Sequence, residues 1–238
     1  MNISSLYKNP HEFGCFWHSY AEKFGSPNID WCEQTLCQII SEPANTWSNL
    51  SYILVGLFLL KFRKSSYPGL NLFPKFVIFL GLCSFVYHLS IFYITQIFDF
   101  LGMFLCTLWG LGMNLIRLKK LQNKYLLTFI FVGSAIMTLG LHVMWLHHIK
   151  FQQMIIFILI ALFITEYKAQ KIRKSPLKNL YLNVALTILA FSFSLMDHNR
   201  ILCFPTSWLQ GHALWHLFSG LSLYFIHAHY VLIEKDMG

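Results

Sequence analysis

The sequence is poor in charged residues, which make up 12% of its 238 positions. A soluble domain of this size carries about 25% charged residues, so water is not the solvent for much of this chain. Apolar residues take the place of charged ones: 56% of the chain is hydrophobic, and Phe alone occurs 23 times. This composition predicts a protein whose surface largely faces lipid.

Several other signals are missing. Residues 1–44 lack a basic segment followed by an apolar core, so we predict no cleavable signal peptide. No internal repeat and no pair of broken helices is visible, which argues against a transporter. No low-complexity run or long linker divides the chain either. We therefore predict one domain over residues 1–238, with a polar N-terminal segment at 1–44 and a helix bundle at 45–238.

Seven apolar stretches approach the roughly 20 residues that a helix needs to cross a bilayer. They run approximately over residues 46–62, 72–91, 94–116, 125–146, 151–167, 178–196 and 209–232. The predicted fold class is an all-α integral membrane protein, a bundle of seven transmembrane helices.

The basic residues indicate how this bundle is oriented. The net charge is +8, and 14 of the 18 Lys and Arg residues lie in, or within four residues of, the segments that follow the first, third, fifth and seventh stretches. Because cytoplasmic loops are enriched in Lys and Arg, the N-terminus is predicted outside and the C-terminus in the cytoplasm. The same alternation argues against a nucleic-acid-binding patch.

Four of the six cysteines fall on the predicted outer side: Cys15, Cys32, Cys37 and Cys203. Outside compartments are oxidising, so these cysteines are candidates for disulfides. Four cysteines allow three complete pairings, and their spacing alone does not choose among them.

Five polar residues stand out because they interrupt apolar stretches. Ser84 and His88 end the second stretch, Asp99 begins the third, and His212 and His216 begin the last. The last two are four residues apart and so share one helix face. With the predicted orientation, all five lie in one outer layer. Three histidines and a water make an open tetrahedral zinc site, and a nearby carboxylate is suited to take a proton from that water.

These motifs together resemble the alkaline ceramidases and their wider CREST superfamily. The resemblance rests on Ser84-x3-His88-x10-Asp99, His212-x3-His216, Asp30-Trp31-Cys32-Glu33 and Glu42-Pro-Ala-Asn45-Thr46-Trp-Ser48-Asn49, with Gln210 and Cys203 also matching. It spans nearly the whole chain. The Glu-Pro-Ala-Asn-Thr run is more similar to prokaryotic members than to animal ones.

The resemblance implies a zinc-dependent hydrolase of linear amide bonds. Zn²⁺ would be bound by His88, His212 and His216, with a water as fourth ligand and nucleophile. Asp99 would deprotonate that water, and Ser84 would help to stabilise the oxyanion. The substrate would be a membrane lipid, either ceramide or a related N-acyl lipid, cleaved to a free fatty acid and a long-chain base.

The resemblance also implies a calcium site and a disulfide. The calcium ligands would be Asp30, Glu33, Glu42 and the backbone carbonyl of Trp31, and oxygen atoms are the ligands that calcium prefers. The disulfide would join Cys32 to Cys203. A bond between Cys15 and Cys37 is a further possibility, based only on the two cysteines left over.

The resemblance also suggests in which membrane the protein lies. The membrane would be the inner membrane in a bacterium, or the endoplasmic reticulum or Golgi in a eukaryote. The active site would lie near the periplasmic or lumenal face.

One alternative shares the same zinc residues. Seven-helix receptors of the progestin and adipoQ type are similar at these positions, and such a protein would have little or no turnover. Their N-terminus lies inside, whereas the charge distribution here predicts it outside. The orientation and the acidic N-terminal segment favour the ceramidase interpretation.

Overall fold

The computed structural model describes residues 14–172, 174–201 and 203–237, so the first 13 residues of the predicted N-terminal segment lie outside the described part. Within that part the chain forms α-helices and no β-strand, which confirms the prediction of an all-α protein. The helices are α1 His18–Phe24, α2 Pro43–Ser48, α3 Leu50–Phe62, α4 Phe73–Ser90, α5 Tyr93–Arg117, α6 Leu126–Leu146, α7 Gln152–Ile172, α8 Lys178–His198 and α9 Gly211–Leu232.

A helix occupies each of the seven predicted apolar stretches. The first stretch contains α3 and the end of α2, which are separated only by Asn49, whose φ of −65° and ψ of −17° are themselves helical. Helices α4 to α9 follow the other six stretches, with ends within five residues of those predicted.

Four helical segments are long and apolar enough to cross a membrane. They are Leu70–Ser90, Tyr93–Arg117, Asn123–Leu146 and Lys178–His198. These segments fit a multi-pass membrane protein. Helix α3 has only 13 residues, and α9 carries four histidines, so neither has the apolar length of these four. The count of seven crossings and the orientation of the termini stay predictions.

Helix α5 forms the centre of the bundle, with 17 of its 25 residues buried. It packs against α4, α6 and α7, while α9 packs against α3 and α8. Helices α4 and α5 approach closely at Gly102, since a Cβ there would lie 2.7 Å from the Cα of Leu80. Only Ile91 and Phe92 connect the two helices, so the end of α4 lies beside the start of α5, where three of the predicted site residues are.

A buried polar cluster joins α5, α7 and α9 far from those residues. Arg117 Nη1 donates to Glu166 Oε2 over 2.6 Å, and His229 Nε2 lies 3.3 Å from Glu166 Oε1. His229 is 17 residues beyond His212 on α9, which corresponds to about 25 Å along a helix. Losing one partner of a buried ion pair costs about 3–5 kcal/mol, so this cluster holds α9 against the bundle at its other end.

Two disulfides link segments of the chain that lie outside the long helices. One joins Cys32 to Cys203, the pair expected from the resemblance, and the other joins Cys15 to Cys37. The first spans 171 residues and ties the N-terminal segment to the loop that leads into α9. The remaining cysteines, Cys83 and Cys106, are free thiols in α4 and α5.

We expect a proteolytic digest of the unreduced protein to contain a linked Cys32–Cys203 peptide pair. Replacing both cysteines by serine should lower the free energy of unfolding by about 2–5 kcal/mol, because the unfolded chain is no longer restrained. Peptide mapping by mass spectrometry and thermal unfolding in detergent measure the two effects. Recovery of either cysteine alkylated in unreduced, folded protein would contradict the first expectation.

Candidate active site

Three histidine side chains converge where α4 ends and α9 begins. His88 lies in the last turn of α4, and His212 and His216 lie one turn apart on α9. All three are buried. One nitrogen of each ring lies within 4.8 Å of the corresponding nitrogens of the other two. In the described part of the chain, no other group of three His, Cys, Asp or Glu side chains converges in this way, and this one could hold a metal ion.

The hydrogen bonds of two of these rings leave a lone pair free for a metal. His88 Nδ1 lies 2.7 Å from Glu42 Oε2. A metal cation on the cluster would favour the ionised form of Glu42, and an ionised carboxylate only accepts, so that His88 Nδ1 carries the proton in this state. The Ser48 hydroxyl donates to the Asn45 carbonyl and therefore accepts from His216 Nδ1, 2.7 Å away. In both rings Nε2 is then unprotonated, which is the tautomer that binds a metal.

The third histidine is oriented differently. His212 Nδ1 has no hydrogen-bond partner among the described residues. Instead the ring stacks on Trp31, with centroids 3.5 Å apart and an interplanar angle of 15°. Its Nε2 lies 3.1 Å from Nε2 of His88, so it points into the cluster.

Asp99 and Ser84 lie on the wall of a cavity that also reaches His212 and His216. Ser84 is one turn before His88 on α4, and its side chain interacts with the Asp99 carboxylate on α5. The cavity contains about 580 Å³ of space, including the part that opens to the surface. Its other walls are mainly apolar and aromatic: Ile29, Leu80, Phe100, Met103, Ile155, Phe191 and Trp215.

The walls contributed by α7 and α8 do not pack against each other. In the described residues α7 packs on α5 and α8 packs on α9, whereas α7 and α8 have no more than marginal contact. Gln152 and Ile155 of α7 face the cavity from one side, and Phe191 and Ser194 of α8 face it from another. The cavity is therefore lined by two helices that do not pack on each other and that both expose apolar residues.

The family profile described as Ceramidase matches residues 24–236. The chain belongs to the ceramidase family. No curated protein sequence matches it. Membership in this family makes the protein a hydrolase that acts on the amide bond of ceramide, in agreement with the resemblance seen in its motifs.

The acidic residues of the N-terminal segment do not converge as the histidines do. Glu33 accepts the backbone N–H groups of Ala44 and Asn45, at 2.7 and 2.8 Å, and so caps the start of α2. Asp30 is exposed. Glu42, predicted as a calcium ligand, contacts His88 instead of joining Asp30 and Glu33 in a cluster. Calcium binding at these residues stays a prediction.

Burial governs the ionisation of the two glutamates. It raises the pKa of Glu33 to about 8, and the neighbouring Glu42 adds to the shift. Burial likewise raises the pKa of Glu42 to about 8, and a hydrogen bond from Asn45 opposes the shift. A cation on the adjacent histidines would favour the ionised form of Glu42, so metal binding and the Glu42–His88 hydrogen bond support each other.

Two contributors to this candidate site were missed from the sequence. Ser48 orients His216, although it was noted only as part of a family motif. Asp197, the penultimate residue of α8, is fully buried and accepts backbone N–H groups of Cys32 and His212. The available signal was an acidic residue at the end of an apolar stretch, where a lone carboxylate is costly without partners.

Proposed function

We propose that the protein is a zinc-dependent membrane amidase that hydrolyses ceramide or a related N-acyl lipid. The products are a free fatty acid and a long-chain base. The observation that carries the proposal is the convergence of three buried imidazoles, two of them held in the metal-binding tautomer, at a cavity that also contains Asp99.

The donor set suits zinc. Three imidazole nitrogens with an open position are typical of catalytic zinc sites, whereas calcium and magnesium prefer oxygen. When bound, zinc supplies Lewis acidity, which polarises the amide carbonyl and makes water acidic enough to attack near neutral pH. His88 and His216 hold their positions through Glu42 and Ser48.

Asp99 is assigned as the general base. It takes one proton from the attacking water as the new C–O bond forms. It returns the proton to the amide nitrogen as the C–N bond breaks, so that the long-chain base leaves as a neutral amine. Ser84, next to Asp99 on the cavity wall, donates a hydrogen bond to the oxyanion that develops on the former carbonyl oxygen.

The apolar walls of the cavity are suited to a substrate with two hydrocarbon chains. Phe100, Met103, Ile155 and Phe191 present apolar surface to the cavity. The chains of a lipid in the bilayer are already in apolar surroundings, and these walls let them enter the cavity without being placed against unpaired polar groups. We propose that a lipid in the bilayer enters between α7 and α8, which have no more than marginal contact, without crossing water.

The test is product analysis. Purified protein loaded with zinc is incubated with N-acyl sphingoid amides of several chain lengths, and the lipids are measured by mass spectrometry. We expect equal amounts of free fatty acid and long-chain base to appear. A protein that binds zinc and lipid but releases neither product would overturn the amidase assignment and favour the receptor-like alternative.

Ser84→Ala is expected to lower turnover by at most about 10²-fold, the lower end of the effect of removing one oxyanion donor. The Michaelis constant should change little, since the bond forms only as charge develops. Steady-state rates on the best substrate measure both. Ser192→Ala is a matched control, since Ser192 is exposed on α8 and its hydroxyl donates to the Ile188 carbonyl of its own helix. A loss as large as that of a zinc ligand would contradict the assigned role.

The predicted orientation complements this function. With the N-terminus outside, the histidines lie near the periplasmic or lumenal face, where the disulfide-forming cysteines also lie. Supporting this, Cys32 is adjacent in sequence to Trp31, which stacks on His212. The membrane itself would be the bacterial inner membrane, or the endoplasmic reticulum or Golgi.

A further inference from the structure

Asp197 brings together two distant segments of the chain at the histidine cluster. Its Oδ2 accepts the N–H of Cys32 over 2.8 Å, and its Oδ1 accepts the N–H of His212 over 3.1 Å. The N–H of Gly211 also interacts with this carboxylate. One buried side chain of α8 therefore fixes the N-terminal segment and the first turn of α9.

The start of α9 depends on this contact because it has no local cap. The residue before the helix, Gln210, makes no side-chain capping hydrogen bond. Its amide group instead donates to the carbonyls of Phe204 and Ser207. The first N–H groups of a helix need acceptors, and a carboxylate there is favoured by the helix dipole. Asp197, on the neighbouring helix α8, supplies both the acceptor oxygens and the carboxylate.

Helices α8 and α9 pack closely at Gly211. A Cβ on Gly211 would lie 2.8 Å from the Phe193 carbonyl oxygen and 2.9 Å from Asp197 Cβ. The position therefore needs glycine for α8 and α9 to come close enough for the contact.

The contact matters most for His212. His88 and His216 each have a hydrogen-bond partner on Nδ1, whereas His212 has none in the described chain. Its ring is fixed by the Trp31 stack, and its backbone is fixed by Asp197. Asp197 also fixes Cys32, the neighbour of Trp31, so one carboxylate holds both members of the stack.

We infer that Asp197 is a positioning residue for metal binding, which sets the Trp31–His212 stack and thereby the orientation of the third zinc ligand. The inference rests on the proposed zinc function. Asp197 is not in the cavity wall and is assigned no contact with substrate.

Asp197→Asn tests this, since an amide has one accepting oxygen and cannot serve both segments. We expect zinc affinity to fall about 10–100-fold, the usual effect of losing a group that orients a metal ligand. Competition with a chromophoric chelator in detergent measures the affinity, and thermal unfolding is recorded in parallel. Gly211→Ala is a second variant that displaces the same contact sterically and should weaken zinc binding in the same direction.

The control is Glu166→Gln, which removes a buried carboxylate at the far end of α9. It should lower the unfolding temperature but leave zinc affinity within about twofold. Zinc affinity unchanged in Asp197→Asn, or equally weakened in Glu166→Gln, would overturn the inference.

A measurement on metal-free protein separates this inference from the proposed function. Hydrogen exchange in Asp197→Asn should quicken in peptides that contain Cys32 and His212, and not in those that contain Glu166. If the wild-type protein binds no zinc, the zinc function fails by itself. If exchange in these peptides is unchanged, the positioning role fails whatever the metal content.

Discussion

His212→Ala should lose stoichiometric zinc and with it nearly all amidase turnover. Three imidazoles converge on one point, and removing one leaves two protein ligands for an ion that needs at least three at a catalytic site. Elemental analysis of purified protein, with zinc expressed per polypeptide, gives the result directly.

His227→Ala is the matched control for this experiment. His227 is also buried on α9, but its Nε2 lies 3.3 Å from the carbonyl of Leu70, at the end of the helix away from the cluster. It should keep full zinc, even if the protein is somewhat less stable. Full zinc retained in His212→Ala would reject the assignment of the three histidines as the metal site.

The helices were predictable because apolar length is a local property. A run of apolar residues such as 94–116 forms a helix whatever its neighbours, and α5 matches it within one residue at each end. The break at Asn49 was not predictable in this way. Its backbone is helical, so no change of backbone conformation marks the division between α2 and α3. The apolar pattern also gives no sign that Glu33 caps the start of α2.

The histidine cluster was predictable because topology restricts it. His212 and His216 share a helix face through their spacing, and the alternation of chain direction brings the end of α4 to the start of α9. The hydrogen-bond partners of the individual imidazole rings could not be predicted from the spacing or the chain direction. The pairing of His88 with Glu42 joins residues 46 apart in sequence, and that of His216 with Ser48 joins residues 168 apart.

The role of Asp197 could not be predicted from any single sequence motif. A carboxylate at the end of an apolar stretch is equally consistent with a solvated helix end. Its role becomes visible only when Cys32 and His212, 165 and 15 residues away, are found on its two oxygens. Glu42 is a second example. The sequence does not distinguish a glutamate that binds calcium from one that accepts the N–H of a histidine.

Asp99→Asn should abolish most of the turnover while leaving zinc in place. The amide has nearly the same shape as the carboxyl group but cannot accept a proton from water at neutral pH. General acid–base groups contribute about 10²–10⁴-fold to rate, and Asp99 is assigned both the uptake of the proton and its delivery to the leaving nitrogen. The rate of fatty acid release, measured alongside zinc content, tests both parts.

The control is Glu22→Gln, an acid-to-amide change at an exposed side chain on α1. It should leave both the rate of fatty acid release and the zinc content unchanged. Zinc retention is the decisive companion measurement, because Asp99 is not in the histidine cluster and its loss should affect chemistry and not metal binding. Turnover equal to wild type would reject Asp99 as the base. Loss of zinc together with turnover would instead make it part of the metal site, a role for which its position on the cavity wall beside Ser84 gives no support.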